Sequence, residues 1–155
     1  MRAGEYVPHI DLLLQALRIN RERLSSKSKI AIDARLLRAL LAGLAAAQPF
    51  SEAFYLETYP DIAEAFAAGQ IDDLQRHFVD HGFFEGRLGA APQVDEEYYV
   101  SAYEDVAGAV RRGDVASGME HYLRSGAAEG RVPNARLKPE IEAWVAVLRA
   151  DAPRA

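Results

Sequence analysis

The chain has 155 residues and a formal net charge of −5; half of its residues are apolar and 26% are charged. That length and mixture suit an ordinary globular domain with a proper core and exclude a disordered or fibrous chain. No cysteine is present, which excludes disulfides, thiolate nucleophiles and cysteine-ligated zinc. Basic residues are mostly arginine, Lys27, Lys29 and Lys138 being the only lysines, and alanine is abundant, a usage that points to a GC-rich bacterial genome.

Near the N-terminus the apolar residues 12–14 are interrupted by Gln15 and Arg18, too soon for the hydrophobic region of a secretory signal. The longest apolar run, residues 39–47, has nine residues where a bilayer span needs about 20. The expectation is a cytoplasmic protein without a transmembrane segment.

Residues 8–25 predict a helix that opens with Pro8, a residue favoured in a first turn. Ile10, Leu13, Leu14 and Leu17 make one apolar stripe, widened by Leu12 and Ile19. A second helix is expected from about 28 to 47. Ile30, Leu37, Leu41 and Leu44 lie on one face of it, Leu36 and Leu40 extend that face, and Pro49 marks its end. The two predict an antiparallel hairpin turning at Ser25-Ser26-Lys27. Residues 1–49 carry eight basic and four acidic side chains, and Arg18, Arg21, Arg23, Lys27 and Lys29 gather at the hairpin tip. Such a cluster is either a solvated turn or a contact for an anionic partner: acidic polysaccharide, lipid headgroups or the acidic face of another subunit. Nucleic acid is disfavoured by the overall charge and by the lack of aromatic residues among these cations.

A shift of 44 residues lays positions 50–89 on 94–133 without a gap. Glu52, Tyr55, Tyr59, Asp61, Ala63, Ala65 and Gly69 fall on Glu96, Tyr99, Tyr103, Asp105, Ala107, Ala109 and Gly113. His77, Gly82, Glu85, Gly86 and Arg87 fall on His121, Gly126, Glu129, Gly130 and Arg131, giving 12 identities in 40 positions. A repeat of this period is a supersecondary unit used twice. Each copy predicts three short helices. The first follows Ser51 or Asp95 and places Tyr55 with Tyr59, or Tyr99 with Tyr103, one turn apart on a single face. The second is expected to be capped by Asp61 or Asp105, with Glu64 completing a capping box in the first copy, and to end at Gly69 or Gly113. The third begins near Asp72–Asp73 or near Ser117, where Ser117 and Glu120 make another capping box, and is expected to stop at Gly82 or Gly126. Glu-Gly-Arg then closes the copy in a turn whose glycine is expected at positive φ. Residues 50–92 carry a net charge of −6 and residues 93–133 a net charge of −4.

The stretches F-S-E-A-F-Y-L-E-T-Y-P-D-I-A (50–63), H-F-V-D-H-G-F-F-E-G-R (77–87) and H-Y-L-R-S-G-A-A-E-G-R-V-P (121–133) resemble a short bacterial helical module. Such modules tend to occur in tandem, beside glycosyltransferase domains or in large exported proteins with calcium-binding repeats. The resemblance covers about residues 50–133 and implies company with surface polysaccharide or exopolysaccharide production. It carries no catalytic residues. Departures from the pattern are Glu104 where the first copy has Pro60, and Gly89 where the second has Pro133, and both affect turns.

A last helix over about 139–150 offers Ile141, Trp144, Val145 and Leu148. The expected fold is all-α: an N-terminal helical hairpin (1–49) packed on two tandem three-helix modules (50–92 and 93–133) plus a C-terminal helix (134–155), one compact domain overall. The apolar flanking helices either cover the repeats or pair two chains as a homodimer.

His77 and His81 have a chelating spacing with Asp73 one turn back, but Ser125 replaces His81 in the second copy and no zinc-protease glutamate lies between. The recurring His77 and His121 are better read as bonding a buried backbone carbonyl. Glu85 with Arg87 and Glu129 with Arg131 suit either a sugar site or a tie between their turn and a neighbouring helix. Tyr55, Tyr59, Tyr99 and Tyr103 suit either stacking on sugar rings or core positions with hydroxyls at the surface. No nucleophile elbow, phosphate loop or dinucleotide fingerprint is present. The expectation is a non-catalytic binding or assembly protein with no cofactor and no metal, whose partner is a protein such as a glycosyltransferase, or a glycan. The alternatives are a small carbohydrate-active enzyme using acidic residues of the repeats, or a regulator that contacts an anionic partner through the basic hairpin.

Overall fold

The computed structural model describes residues 8–26 and 29–149. Among them every regular element is helical, in the order α1 (Ile10–Leu17), α2 (Arg21–Leu24), α3 (Ala34–Ala46), α4 (Glu52–Thr58), α5 (Pro60–Ala67), α6 (Leu74–His77), α7 (Glu96–Ala102), α8 (Glu104–Arg112), α9 (Gly118–His121), α10 (Ala127–Glu129) and α11 (Lys138–Leu148). A π-turn follows α6 at Phe78–Gly82, and another follows α9 at Tyr122–Gly126. The fold is therefore all-α. None of the helices among the described residues is long and apolar enough to cross a membrane. Contacts divide the chain into two compact units, one on each side of the Ala91–Pro92 bond.

In the N-terminal unit the helix expected over 8–25 is broken. α1 ends at Arg18, which adopts the left-handed conformation at φ 54° and closes the helix with Ile19 N donating to the Leu14 carbonyl. Asn20 then caps α2 by accepting from the Arg23 amide. The second expected helix also starts later than 28, because the Asp33 carboxylate accepts from the Arg35 amide and sets the first turn there. The turn expected at Ser25-Ser26-Lys27 lies partly outside the described residues.

α3 is two-faced. Ala45 is buried, with Ala42 and Ala46 beside it, against a core of Tyr55, Ile62, Leu74, Phe78 and Val79. Arg38 ties the same helix to the π-turn by donating to the Asp80 carbonyl at 2.7 Å and lying 3.9 Å over the Phe84 ring. Leu37 and Leu44, seven residues apart and hence on one side of the helix, remain 41% and 51% exposed.

The first helix of each segment is capped as its sequence predicts: Ser51 accepts from the Phe54 amide and Asp95 from the Tyr98 amide. The second helix is not. α5 and α8 begin one residue earlier, at Pro60 and Glu104, after Tyr59 and Tyr103, which offer no capping side chain. Asp61 and Asp105 therefore lie inside the first turn, and their carboxylates are spent on arginine instead. Proline suits that first position because its φ is preset and its missing N–H has no partner there in any helix. Glu104 starts α8 at the same place, so the departure at this position leaves the turn unchanged. Likewise Ser51 N donates to the Gly89 carbonyl at 2.8 Å and Asp95 N to the Pro133 carbonyl at 3.0 Å, so glycine and proline serve one bond. Asp73 and Ser117 cap the third helices by accepting from Arg76 N and Glu120 N, while Glu120 reaches back to the Ala116 amide.

In the C-terminal unit α11 rests on the second Glu-Gly-Arg turn. A Cβ placed on Gly130 would lie 3.0 Å from a Val145 methyl, and Arg149 donates to the Glu129 carbonyl at 3.0 Å. Trp144, Val147 and Leu148 are 56%, 72% and 73% exposed.

Leu74 is 1% exposed within the first core. Leu74→Ala should lower stability by about 2–5 kcal/mol, the range for deleting a buried leucine that leaves a cavity. Urea unfolding followed by circular dichroism would measure it, and a loss under ~1 kcal/mol would mean that this core is loosely packed.

Candidate functional site: a buried tyrosine–histidine pair and an arginine fork

Tyr55 and Tyr99 have no exposed surface at all. A tyrosine can be buried this deeply only if its hydroxyl finds a polar partner. Tyr55 Oη lies 3.1 Å from His77 Nδ1, and Tyr99 Oη lies 3.1 Å from His121 Nδ1. The hydroxyls do not reach the surface, and the histidines do not bond a backbone carbonyl: each group satisfies the other. Burial pushes both tyrosine hydroxyls up to about 12, so they stay protonated at any ordinary pH.

The hydroxyl sits directly on a glycine. A Cβ on Gly82 would be 2.1 Å from Tyr55 Oη, and one on Gly126 would be 2.2 Å from Tyr99 Oη. The third helix of the first copy does end at Gly82, as expected, whereas Gly126 runs directly into α10. Gly82 lies within a π-turn, where Phe83 N donates to the Phe78 carbonyl at 2.8 Å, and Gly126 lies in the corresponding turn with helical φ of −58°. The positive-φ glycines are Gly69, Gly86, Gly113 and Gly130, so the expected conformation holds for the helix ends and for the Glu-Gly-Arg turns.

Tyr59 and Tyr103 pack edge-on to the buried rings, at centroid distances of 5.1 and 5.0 Å. Their hydroxyls accept from the amides of Leu88 and Val132, at 2.7 and 2.8 Å. Over these rings lie the guanidinium groups of Arg87 and Arg131, 4.9 and 4.8 Å from the centroids. Arg87 donates through Nη1 and Nη2 to both oxygens of Asp61, at 3.0 and 2.7 Å, and through Nε to Glu85 at 2.9 Å. Arg131 does the same to Asp105, at 2.9 and 2.6 Å, and to Glu129. These are planar fork-to-carboxylate pairings that lysine cannot reproduce.

The arrangement has a direction. The arginine side chains are only 20% and 19% exposed, whereas Asp61 and Asp105 are 61% and 62% exposed. Solvent therefore meets carboxylates with the cation beneath. The hydrogen bonds from the guanidinium hold the Asp61 carboxyl below its usual value and the Asp105 carboxyl down to about 2. Ion pairs this open are worth about 0–1 kcal/mol, against about 3–5 kcal/mol for truncating a buried aromatic ring. The tyrosines hold the fold, and the fork fixes where the closing turn lies.

Of the residues singled out in the sequence, Tyr55, Tyr59, Glu85 and Arg87 come together in the first unit, and Tyr99, Tyr103, Glu129 and Arg131 in the second. Asp61 and Asp105 complete each set. Their 44-residue recurrence was the available signal, since the arginine partner is 26 residues away in sequence. Arg18, Arg21 and Arg23 belong to a separate groove by α1 and α2; Lys27 lies outside the described residues, and Lys29 is described and exposed. His77 and His81 stand with ring centroids 5.5 Å apart. Among the described residues no cluster of three or more histidines and acidic residues gathers in a geometry able to hold a metal ion.

Gly82→Ala should destabilise by about 1–3 kcal/mol, the range for overpacking a filled core. Adding Tyr55→Phe should recover part of that loss, because the nearest remaining ring atom stands off at 3.3 Å. A double-mutant cycle should therefore show coupling of at least ~0.5 kcal/mol, and simple additivity would mean that the hydroxyl is not the obstacle. A second expectation concerns pH. Burial and the neighbouring His81 hold His77 below its ordinary value. The unfolded chain thus takes up this proton near pH 6.5 while the folded chain resists it, so stability falls as pH drops through about 6.5. His77→Asn keeps an acceptor for Tyr55 without titrating there. Urea midpoints at pH 7.5 and 5.5 should fall further for the wild type than for this variant.

No protein-family model, curated protein or solved structure matches the chain.

Proposed function

We propose that this chain is a non-catalytic binding or assembly protein built on two tandem copies of one helical module, and that it serves beside enzymes of bacterial surface polysaccharide or exopolysaccharide production. The observation that carries this reading is the closure of the repeated motif. Every polar side chain that recurs in both segments, apart from the Glu52–Glu96 position, is bonded inside its own segment: tyrosine to histidine, tyrosine to backbone amide, arginine to two acids. A motif used twice for its internal bonds preserves a scaffold. A carbohydrate-active enzyme would need a raised carboxylic acid beside a free carboxylate, and the motif's aspartates are held in the opposite direction.

Apolar side chains outside the motif support docking. Leu37 and Leu44 face outward from a helix whose other side is already in the core, and Trp144, Val147 and Leu148 stand exposed on α11. We assign the α3 face to pairing of two copies, which leaves α11 for a protein partner such as a glycosyltransferase.

Light scattering on the full chain tests this. The wild type should have the mass of a dimer, and Leu37→Glu with Leu44→Glu should give a monomer of unchanged helix content. A monomeric wild type that captures neither a glycan from a panel nor a glycosyltransferase would sink the reading.

A further inference from the structure

α1 and α2 flank an open groove of about 920 Å³. Arg18, Arg21 and Arg23 line it together with Asp11, Glu22 and the apolar Leu14. Arg21 is already committed, donating to Asp11 at 2.5 Å. Among the described residues no side-chain partner is found for Arg18 or Arg23. The groove thus holds two guanidinium forks with open donors and an excess of one positive charge, in a chain whose net charge is −5.

Arg18 carries a second sign. It is the one non-glycine residue at positive φ among the described residues, at 54°, while the four other left-handed positions are all glycine. An L side chain there is strained, and glycine would remove the strain. The helix dipole favours a cation near the end of α1 but does not require it at the left-handed residue itself, since Gln15 and Ala16 precede it. Strain kept at one position, with an unpartnered arginine to show for it, is the pattern of a residue retained for what its side chain binds.

We propose that this groove binds a phosphate group, taken by the Arg18 and Arg23 guanidinium forks. Guanidinium matches phosphate oxygens in bidentate fashion, which suits these two donors. The phosphate comes either from a free small molecule or from the headgroup of an anionic lipid, and exposed Ile10, Leu12 and Leu24 on the same two helices suit the second source. The groove is independent of the docking faces assigned above, since none of its residues lies on α3 or α11.

The test uses the full chain at low salt, with inorganic phosphate titrated by calorimetry and vesicles of phosphatidylglycerol or of phosphatidylcholine sedimented with the protein. Saturable binding of phosphate identifies the free source, and binding to phosphatidylglycerol over phosphatidylcholine identifies the lipid. Either should weaken at least tenfold in Arg18→Gly with Arg23→Ala. Arg18→Gly alone should weaken binding while raising the thermal midpoint by a few degrees, a separation that a structural role for the side chain would not produce. The proposal is overturned if neither probe binds, or if the double variant binds as the wild type does.

Discussion

The fold depends on where two phenolic hydroxyls go. Tyr55 and Tyr99 supply the largest fully buried side chains, and each brings an oxygen into a space that water does not reach. An unsatisfied hydroxyl there would cost about 1–3 kcal/mol, a fair fraction of the net stability of a small domain. Histidine at the end of the segment's third helix removes that cost. Glycine then makes room, because the hydroxyl takes the space that any Cβ would fill. This glycine is the last residue of the π-turn, so the tyrosine, the histidine and the glycine form one requirement with three parts.

The arginine fork is built on top of that core. Tyr59 and Tyr103 present ring faces, the guanidinium lies over them, and the carboxylates turn outward. Each closing Glu-Gly-Arg turn is anchored at three points: its backbone by the tyrosine hydroxyl, and its arginine by an acid from the second helix and one from the turn itself. Each segment therefore presents exposed carboxylates, on a chain whose cations are enriched before position 50. That asymmetry is why the basic groove, and not the repeated motif, is the place for an anionic ligand.

The two segments reach the same arrangement by different fillings. Leu74 is core in the first, while the second has Gly118 at that place. A side chain on Gly118 would press on the Tyr99 ring at 2.9 Å and on the Glu96 carboxylate at 3.1 Å. Glu96 uses the room to accept from the amides of Gly118 and Met119, at 2.5 and 3.1 Å. A leucine packed against a core and a carboxylate capping a helix thus solve the same problem of starting the third helix. His81 and Ser125 differ in the same way: the serine hydroxyl lies 3.4 Å from His121 Nε2, while the second histidine stacks obliquely on the first.

The sequence by itself determined the helical class, the 44-residue correspondence, the caps at Ser51, Asp95 and Ser117, and the positive-φ glycines at 69, 86, 113 and 130. These are local: each is set by a residue acting on its own backbone within a turn, and a pattern of residue types is enough to read it. Only the tertiary structure decided that Asp61 and Asp105 bind arginine and do not cap, that Gly82 and Gly126 accommodate a hydroxyl, and that His77 and His121 serve tyrosines. Those partners lie about 22 to 27 residues apart in the chain. A glycine required by a neighbour's approach and one required by its own φ are the same letter in a sequence. The break at Arg18 belongs to the second kind as well, since an apolar stripe continued past it and only the folded backbone shows the left-handed residue that turns the chain.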